Sequence, residues 1–128
     1  MRKSCLLLSQ GMKYTMKIED ENYVLEYEEN TGRISIQGSL RLNGLDEYAP
    51  LLDVLVNCMQ QSDAMFVDLS ALEFLNSSGI AMFSKFIIQA RSKENFSLEL
   101  NGSSQIPWQS KSIKNLQRLF PALVVTFH

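Results

Sequence analysis

The segment Arg33–Leu40, RISIQGSL, alternates apolar and polar residues, and that rhythm then stops. Ile34, Ile36 and Leu40 fall on one face, and Arg33, Ser35 and Gln37 on the other, the period-two pattern of a half-buried strand. From Leu45 the spacing changes to threes and fours: Leu45, Tyr48, Leu52, Leu55 and Met59 form the apolar stripe of a helix over about 46–60. Pro50 is expected in the first turn of that helix, where a missing N–H costs least. A chain that passes from strand to helix period and back is restricted to α/β architectures.

The rest of the chain repeats the exchange. Upstream, NYVLEYE places Tyr23, Leu25 and Tyr27 on one face, and the turn-rich ENTG joins it to RISIQGSL as a hairpin. Gly38 marks a bulge or a close approach of another element. Downstream, AMFVDL is a continuous apolar run, expected as a central strand buried on both faces. A second helix runs from about Ser77 to Arg91, with Ile80, Phe83, Ile87 and Ala90 inward and Lys85 and Gln89 toward water. NFSLELN is a strand with Phe96, Leu98 and Leu100 inward. A loop through Pro107 and Trp108 precedes a third helix carrying Ile113, Leu116 and Phe120, and LVVTF closes the chain as a strand.

The order β-β-α-β-α-β-α-β predicts a mixed, mainly parallel sheet with an N-terminal hairpin, right-handed crossovers and about three main helices. The 128 residues suit one domain, placed at 17–128. Residues 1–16, MRKSCLLLSQGMKYTM, are expected to be a flexible leader. Their apolar run Leu6–Leu8 is shorter than the roughly 7 residues of a signal peptide, and Met12 and Met16 offer alternative starts.

Composition excludes several function classes. A net charge of −2 argues against a nucleic-acid surface, and apolar runs fall far short of the roughly 20 residues of a membrane span. Cys5 and Cys58 are too few for a disulfide framework, so the cytoplasm is the expected compartment. No cofactor is expected, and enzymatic activity is not. There is no Gly-rich phosphate loop with Lys, no Cys/His pair at metal spacing and no G-x-S-x-G elbow. His128 is the only histidine and the last residue.

The residues that invite a function are Asn76-Ser77-Ser78-Gly79, between apolar FL and apolar IAMF. They are expected where the central strand turns into a helix N-terminus. Asn76 or Ser77 caps such a helix, and Gly79 lets the backbone approach a partner closely. A phosphate on either serine would meet the positive end of the helix. Capping alone also explains the pattern.

The stretch FVDLSALEFLNSSGIAMFSKF resembles the signature of the STAS domain of bacterial anti-sigma-factor antagonists, in which an apolar-Asp-Leu-Ser strand leads to Asp-Ser-Ser-Gly. With the order of elements, the resemblance covers about 20–128. It runs closest to small stand-alone members with NSSGI, IPWQ and KSIKNLQRLFP segments.

It implies a STAS-like single domain and a switch in a partner-switching pathway. By that resemblance Ser78 is the phosphoacceptor, with Ser77 as the alternative. The partner surface would comprise Asn76, Ser77, Ser78, Gly79, Met82 and Lys85. The partners implied are a serine kinase of the anti-sigma-factor type and a metal-dependent serine phosphatase; a homodimer is also open. Asn76 departs from the Asp usual at its position. A non-phosphorylated scaffold and an anion sensor are the competing readings, the second weakened because no Arg or Lys adjoins the turn.

Other residues carry expectations of their own. Asp68 and Ser70 would lie near the switch or serve the turn. Two of Leu72, Phe74 and Leu75 are expected in the core. Trp108 would cover the edge of the core, and Cys58 would act as a small apolar residue. Glu26, Glu28 and Glu29 would form a solvated face.

Overall fold

The computed structural model describes the backbone of residues 4–10, 13–28 and 31–128, and the side chains of 16–28 and 31–128. The elements in order are β1 (Ser4–Gln10), β2 (Lys13–Glu19), β3 (Tyr23–Glu28), β4 (Arg33–Leu40), α1 (Gly44–Gln61), β5 (Ala64–Asp68), β6 (Leu72–Leu75), α2 (Ser77–Ser92), β7 (Ser97–Gly102), α3 (Pro107–Leu119) and β8 (Val124–Phe127). They form one mixed sheet in the order β1-β2-β3-β4-β5-β7-β8, with β6 added beside β4. β1 to β4 pair antiparallel, whereas β4–β5, β4–β6, β5–β7 and β7–β8 are parallel. The hairpin, the three helices and the parallel crossovers match the sequence reading.

Four expectations are corrected. Where a flexible leader was expected over 1–16, Ser4–Gln10 and Lys13–Glu19 are strands, in register from Ser4↔Glu19 to Gln10↔Lys13. The reason lies in β3: its outer edge would otherwise be unpaired, and β2 covers it with Ile18 opposite Leu25 and Met16 opposite Tyr27. β5 is buried on one face only, with Met65 and Val67 inward and Phe66 and Asp68 half-exposed. Pro50 is the seventh residue of α1, in its second turn. Pro107 is the first residue of α3 rather than part of a loop before it.

The sheet has two unlike faces. Cross-strand neighbours Leu25, Ile36 and Tyr27, Ile34, Val67, Leu100 bury one face together with Leu51 and Leu55 of α1, Phe83 and Phe86 of α2, and Ile113 and Leu116 of α3. At roughly 1.5–3 kcal/mol for each large apolar side chain fully buried, this one-sided layer is the main stabilising term. On the other face Arg33 stacks over the Phe66 ring at 4.7 Å.

Gly38 meets both of its expectations. Its φ is +98, the β4–β6 register shifts between Gly38 and Ser39, and an added Cβ would lie 2.2 Å from the Asn22 carbonyl oxygen. The bulge lets β4 pair first with β5 and then with β6, which carries the chain directly to Asn76.

Among the described residues no helix is long and apolar enough to cross a membrane.

Candidate functional site

Asn76 ends β6 and caps α2. Its extended backbone (φ −81, ψ 176) donates from N to the Leu40 carbonyl at 3.2 Å and accepts from Ile80 N–H at 3.0 Å. Its side chain works at both ends. Oδ1 accepts from the Gly79 N–H at 3.0 Å and the Tyr48 hydroxyl at 2.7 Å, while Nδ2 donates to the Leu42 carbonyl at 2.7 Å. The third bond requires an amide, since a carboxylate has no proton to give. That is a physical reason for Asn rather than Asp here: the residue ties the β4–α1 loop and α1 to the start of α2.

Tyr48, fully buried, holds the other side of this junction. Burial pushes its phenol above the ordinary value, the hydrogen bond with the Leu42 backbone works the other way, and the charge of Tyr23 adds to the rise. Gly79 is buried between the same groups. An added Cβ would come within 2.2 Å of Leu75 Cδ1 and 2.8 Å of the Tyr48 hydroxyl oxygen. The glycine therefore serves close packing within the chain.

The two serines differ. Ser77 is exposed on the first turn of α2. Ser78 is half-buried, and its Oγ accepts from the Gly44 N–H at 3.3 Å. Gly44 is the first residue of α1, whose own N-cap Asn43 makes no side-chain cap bond. Ser78 thus lends its hydroxyl to a neighbouring helix whose first N–H groups lack intrahelical partners. Asp46 and Glu47 lie in that same first turn, Glu47 accepting from the Asn43 N–H at 3.1 Å, and neither first turn carries a base.

Of the six residues expected on the partner surface, Lys85 and Ser77 are exposed and Asn76 and Ser78 half-buried. Gly79 is interior, and Met82 is fully buried beside Phe83 and Phe86. Its phase decides this, because Gly79, Met82, Phe83 and Phe86 recur at three and four residues on the core side. Leu72 and Leu75 are core, while Phe74 is 38 % exposed beneath the Arg41 guanidinium, 4.4 Å from its ring centre. Leu45, also 38 % exposed, lies next to Gly44.

A second set of bonds holds the loop before β6 in place. Gln109, fully buried in α3, donates through Nε2 to the carbonyls of Leu69 (2.7 Å) and Leu72 (2.8 Å), and its Oε1 accepts from Ser103 N–H at 2.7 Å. Trp108, half-buried at the edge of the core as expected, donates from Nε1 to the Glu73 carbonyl at 2.9 Å. The first turn of α3 is thereby fastened to the segment that leads to Asn76. Sequence reasoning noticed Trp108 and missed Gln109 and Tyr48; only the IPWQ string pointed toward the former.

Asp68 belongs to the open sheet face rather than to the serine turn. Its carboxylate accepts from Arg33 Nη2 at 2.6 Å, from Ser70 N at 2.9 Å and Oγ at 2.6 Å, and from Asn101 Nδ2 at 3.2 Å. Burial alone would raise this carboxyl, but the Ser70 bonds, the Arg33 charge and the Asn101 bond outweigh it and hold it below the usual range. Cys58 is buried, Glu26 and Glu28 are half-exposed on the open face, and Glu29 lies outside the described residues. Among the described residues no group of three or more His, Cys, Asp or Glu is placed to hold a metal ion.

Known proteins with this arrangement are found by structure and not by sequence. No family model and no curated protein sequence matches the chain. Apo-SiaC from Pseudomonas aeruginosa superposes with a TM-score of 0.66 at 14% identity over 98% of both chains. SiaC in complex with the diguanylate cyclase SiaD, which it activates, gives 0.60 at 15% identity, over 96% of this chain and 99% of that one. An anti-sigma factor antagonist from Mycobacterium paratuberculosis gives 0.54 at 17% identity, over 96% of this chain and 86% of the other.

The fold is STAS-like. In this STAS-like domain the serine turn joins the short strand β6 to α2, whereas the sequence resemblance implied that it follows the central strand directly.

Proposed function

We propose that the chain is a regulatory protein of a bacterial partner-switching pathway, controlled by reversible phosphorylation at Ser78. The observation that carries the reading is the Ser78 Oγ to Gly44 N–H contact, at the meeting point of two helix N-termini. A hydroxyl there touches two elements at once. Transfer of the γ-phosphoryl group of ATP to this oxygen, with loss of its proton and release of ADP, adds about 1.5–2 negative charges next to the acidic first turn of α1, enough to alter a docking surface by repulsion and desolvation. The fold it shares with an anti-sigma factor antagonist and with an activator of a diguanylate cyclase supports a protein that acts by binding another protein. Its output is a sigma-factor regulator or a signalling enzyme. A serine kinase of the anti-sigma-factor type would modify it, and a metal-dependent serine phosphatase would reset it.

Ser77 is the second candidate acceptor, favoured by its greater exposure. Incubation with ATP and a candidate kinase from the same genome, followed by site-resolved mass spectrometry, tests both. Phosphate on Ser78 that disappears in Ser78→Ala is the expected result. Phosphate retained in Ser78→Ala and lost in Ser77→Ala would move the switch by one residue. No phosphate from a kinase active on another substrate would overturn the reading.

A further inference from the structure

The helical layer divides its charge by helix, with the basic Lys85 and Arg91 on α2 between an acidic and a basic neighbour. α1 carries Asp46, Glu47 and Asp53 and no Lys or Arg, whereas α3 carries Lys111, Lys114 and Arg118 and no Asp or Glu. All six are exposed. Asp46 and Asp53 are seven residues apart and point away from the buried Leu51 and Leu55; Lys111 and Arg118 are also seven apart, away from Ile113 and Leu116. Seven residues span about 10.5 Å of helix axis, so the acidic and basic rows have one spacing. Among the described residues the ion pairs are Lys17–Glu19 and Arg33–Asp68, which leaves both rows unmatched among those residues.

α2 packs between α1 and α3. Its outer face presents the small Ser77 and Ala81 and then Ile88, one of four large apolar residues more than a third exposed among those described, with the exposed Lys85 beside them. Each helix connects parallel strands, so all three run in one direction with their N-termini at the same end of the layer.

We propose that this helical layer is a self-complementary interface whose partner is a second copy of the chain. A two-fold axis along α2 places the α1 of each copy over the α3 of the other, acidic row against basic row, and sets α2 against α2. Ser77 and Ala81 let those two helices approach closely, and the Ile88 pair is buried between them. The contact is isologous and closes at two copies. A two-fold axis across the helices would set acid against acid, so charge selects the first arrangement. A membrane or nucleic acid would engage α3 and be repelled by α1. A consequence, which alone rests on the Ser78 reading, is that phosphates on both copies would meet near the axis and separate them.

Analytical ultracentrifugation of the unmodified full chain tests the contact. At up to about 0.5 mM protein and low salt, the expected mass is twice the 14.6 kDa of one chain. Salt should weaken the dimer, because exposed pairs are screened. Asp53→Lys and Lys114→Asp should each weaken it about tenfold or more, and the double variant, with the charges exchanged, should recover most of that loss. A monomer at every concentration, a dimer indifferent to both single variants, or a double variant no better than the singles would each overturn the proposal. Circular dichroism confirms that these surface variants fold. Phosphorylation of Ser78 is read separately, so the failure of one account leaves the other standing.

Discussion

The Asn76 amide donates to the Leu42 carbonyl at 2.7 Å, joining the cap of α2 to a loop 34 residues earlier in the chain. The bond fixes where α1 begins relative to α2, and with it the contact between Ser78 and Gly44. Asn76→Asp should therefore destabilise the protein, even though a carboxylate is normally favourable at a helix N-terminus. It would turn two acceptor oxygens toward each other, at a cost of about 1–3 kcal/mol. Denaturant unfolding at pH 7 measures this, and the deficit should shrink as the new carboxyl protonates in acid.

Gly79→Ala is expected to invert the usual helical preference. Within a helix that change normally gains up to about 1 kcal/mol. Here the new Cβ would press into Leu75 and the Tyr48 hydroxyl, so a net loss of about 1–3 kcal/mol is expected, read from the same unfolding curves.

Gln109→Leu keeps the volume of a buried side chain while leaving two carbonyls and one N–H without their partner. The expected loss is on the order of 3 kcal/mol. A variant as stable as wild type would show that the tie between α3 and the Leu69–Leu72 loop contributes little.

Asp68 makes a pH prediction with a definite sign. Its carboxyl is held below the ordinary value of 3.8, so the folded state binds this proton less readily than the unfolded chain does. The stability it supplies is present above that value and is lost as pH falls through the lower folded value. The stability difference between wild type and Asp68→Asn should be constant near neutrality and narrow below about pH 4. A gap that widens in acid would contradict the network around Asp68.

The parts of this molecule that could be read from sequence are those with a local period or cap. β3, β4, the span of α2, and the inward Phe96, Leu98 and Leu100 each follow from spacing. β6 could not be read this way: Leu-Glu-Phe-Leu has four residues and becomes a strand only through the Gly38 bulge in β4. β1 and β2 were hidden by a basic, leucine-rich opening that resembles a leader more than an edge pair. Within the serine turn the cap was legible and the junction was not. Tyr48, Leu42 and Gly44 come from 28 to 34 residues away, and Gln109 reaches 37 and 40 residues back. Met82 was misplaced for a different reason, since proximity to the serines along the chain outweighed its helical phase.

The most direct test of the central claim is the affinity of the candidate kinase for the unmodified protein and for protein carrying phosphoserine at 78, measured by calorimetric titration. A switch of the kind proposed predicts at least about tenfold weaker binding of the phosphorylated form, a difference of about 1.4 kcal/mol or more. Equal affinity of the two forms would contradict it.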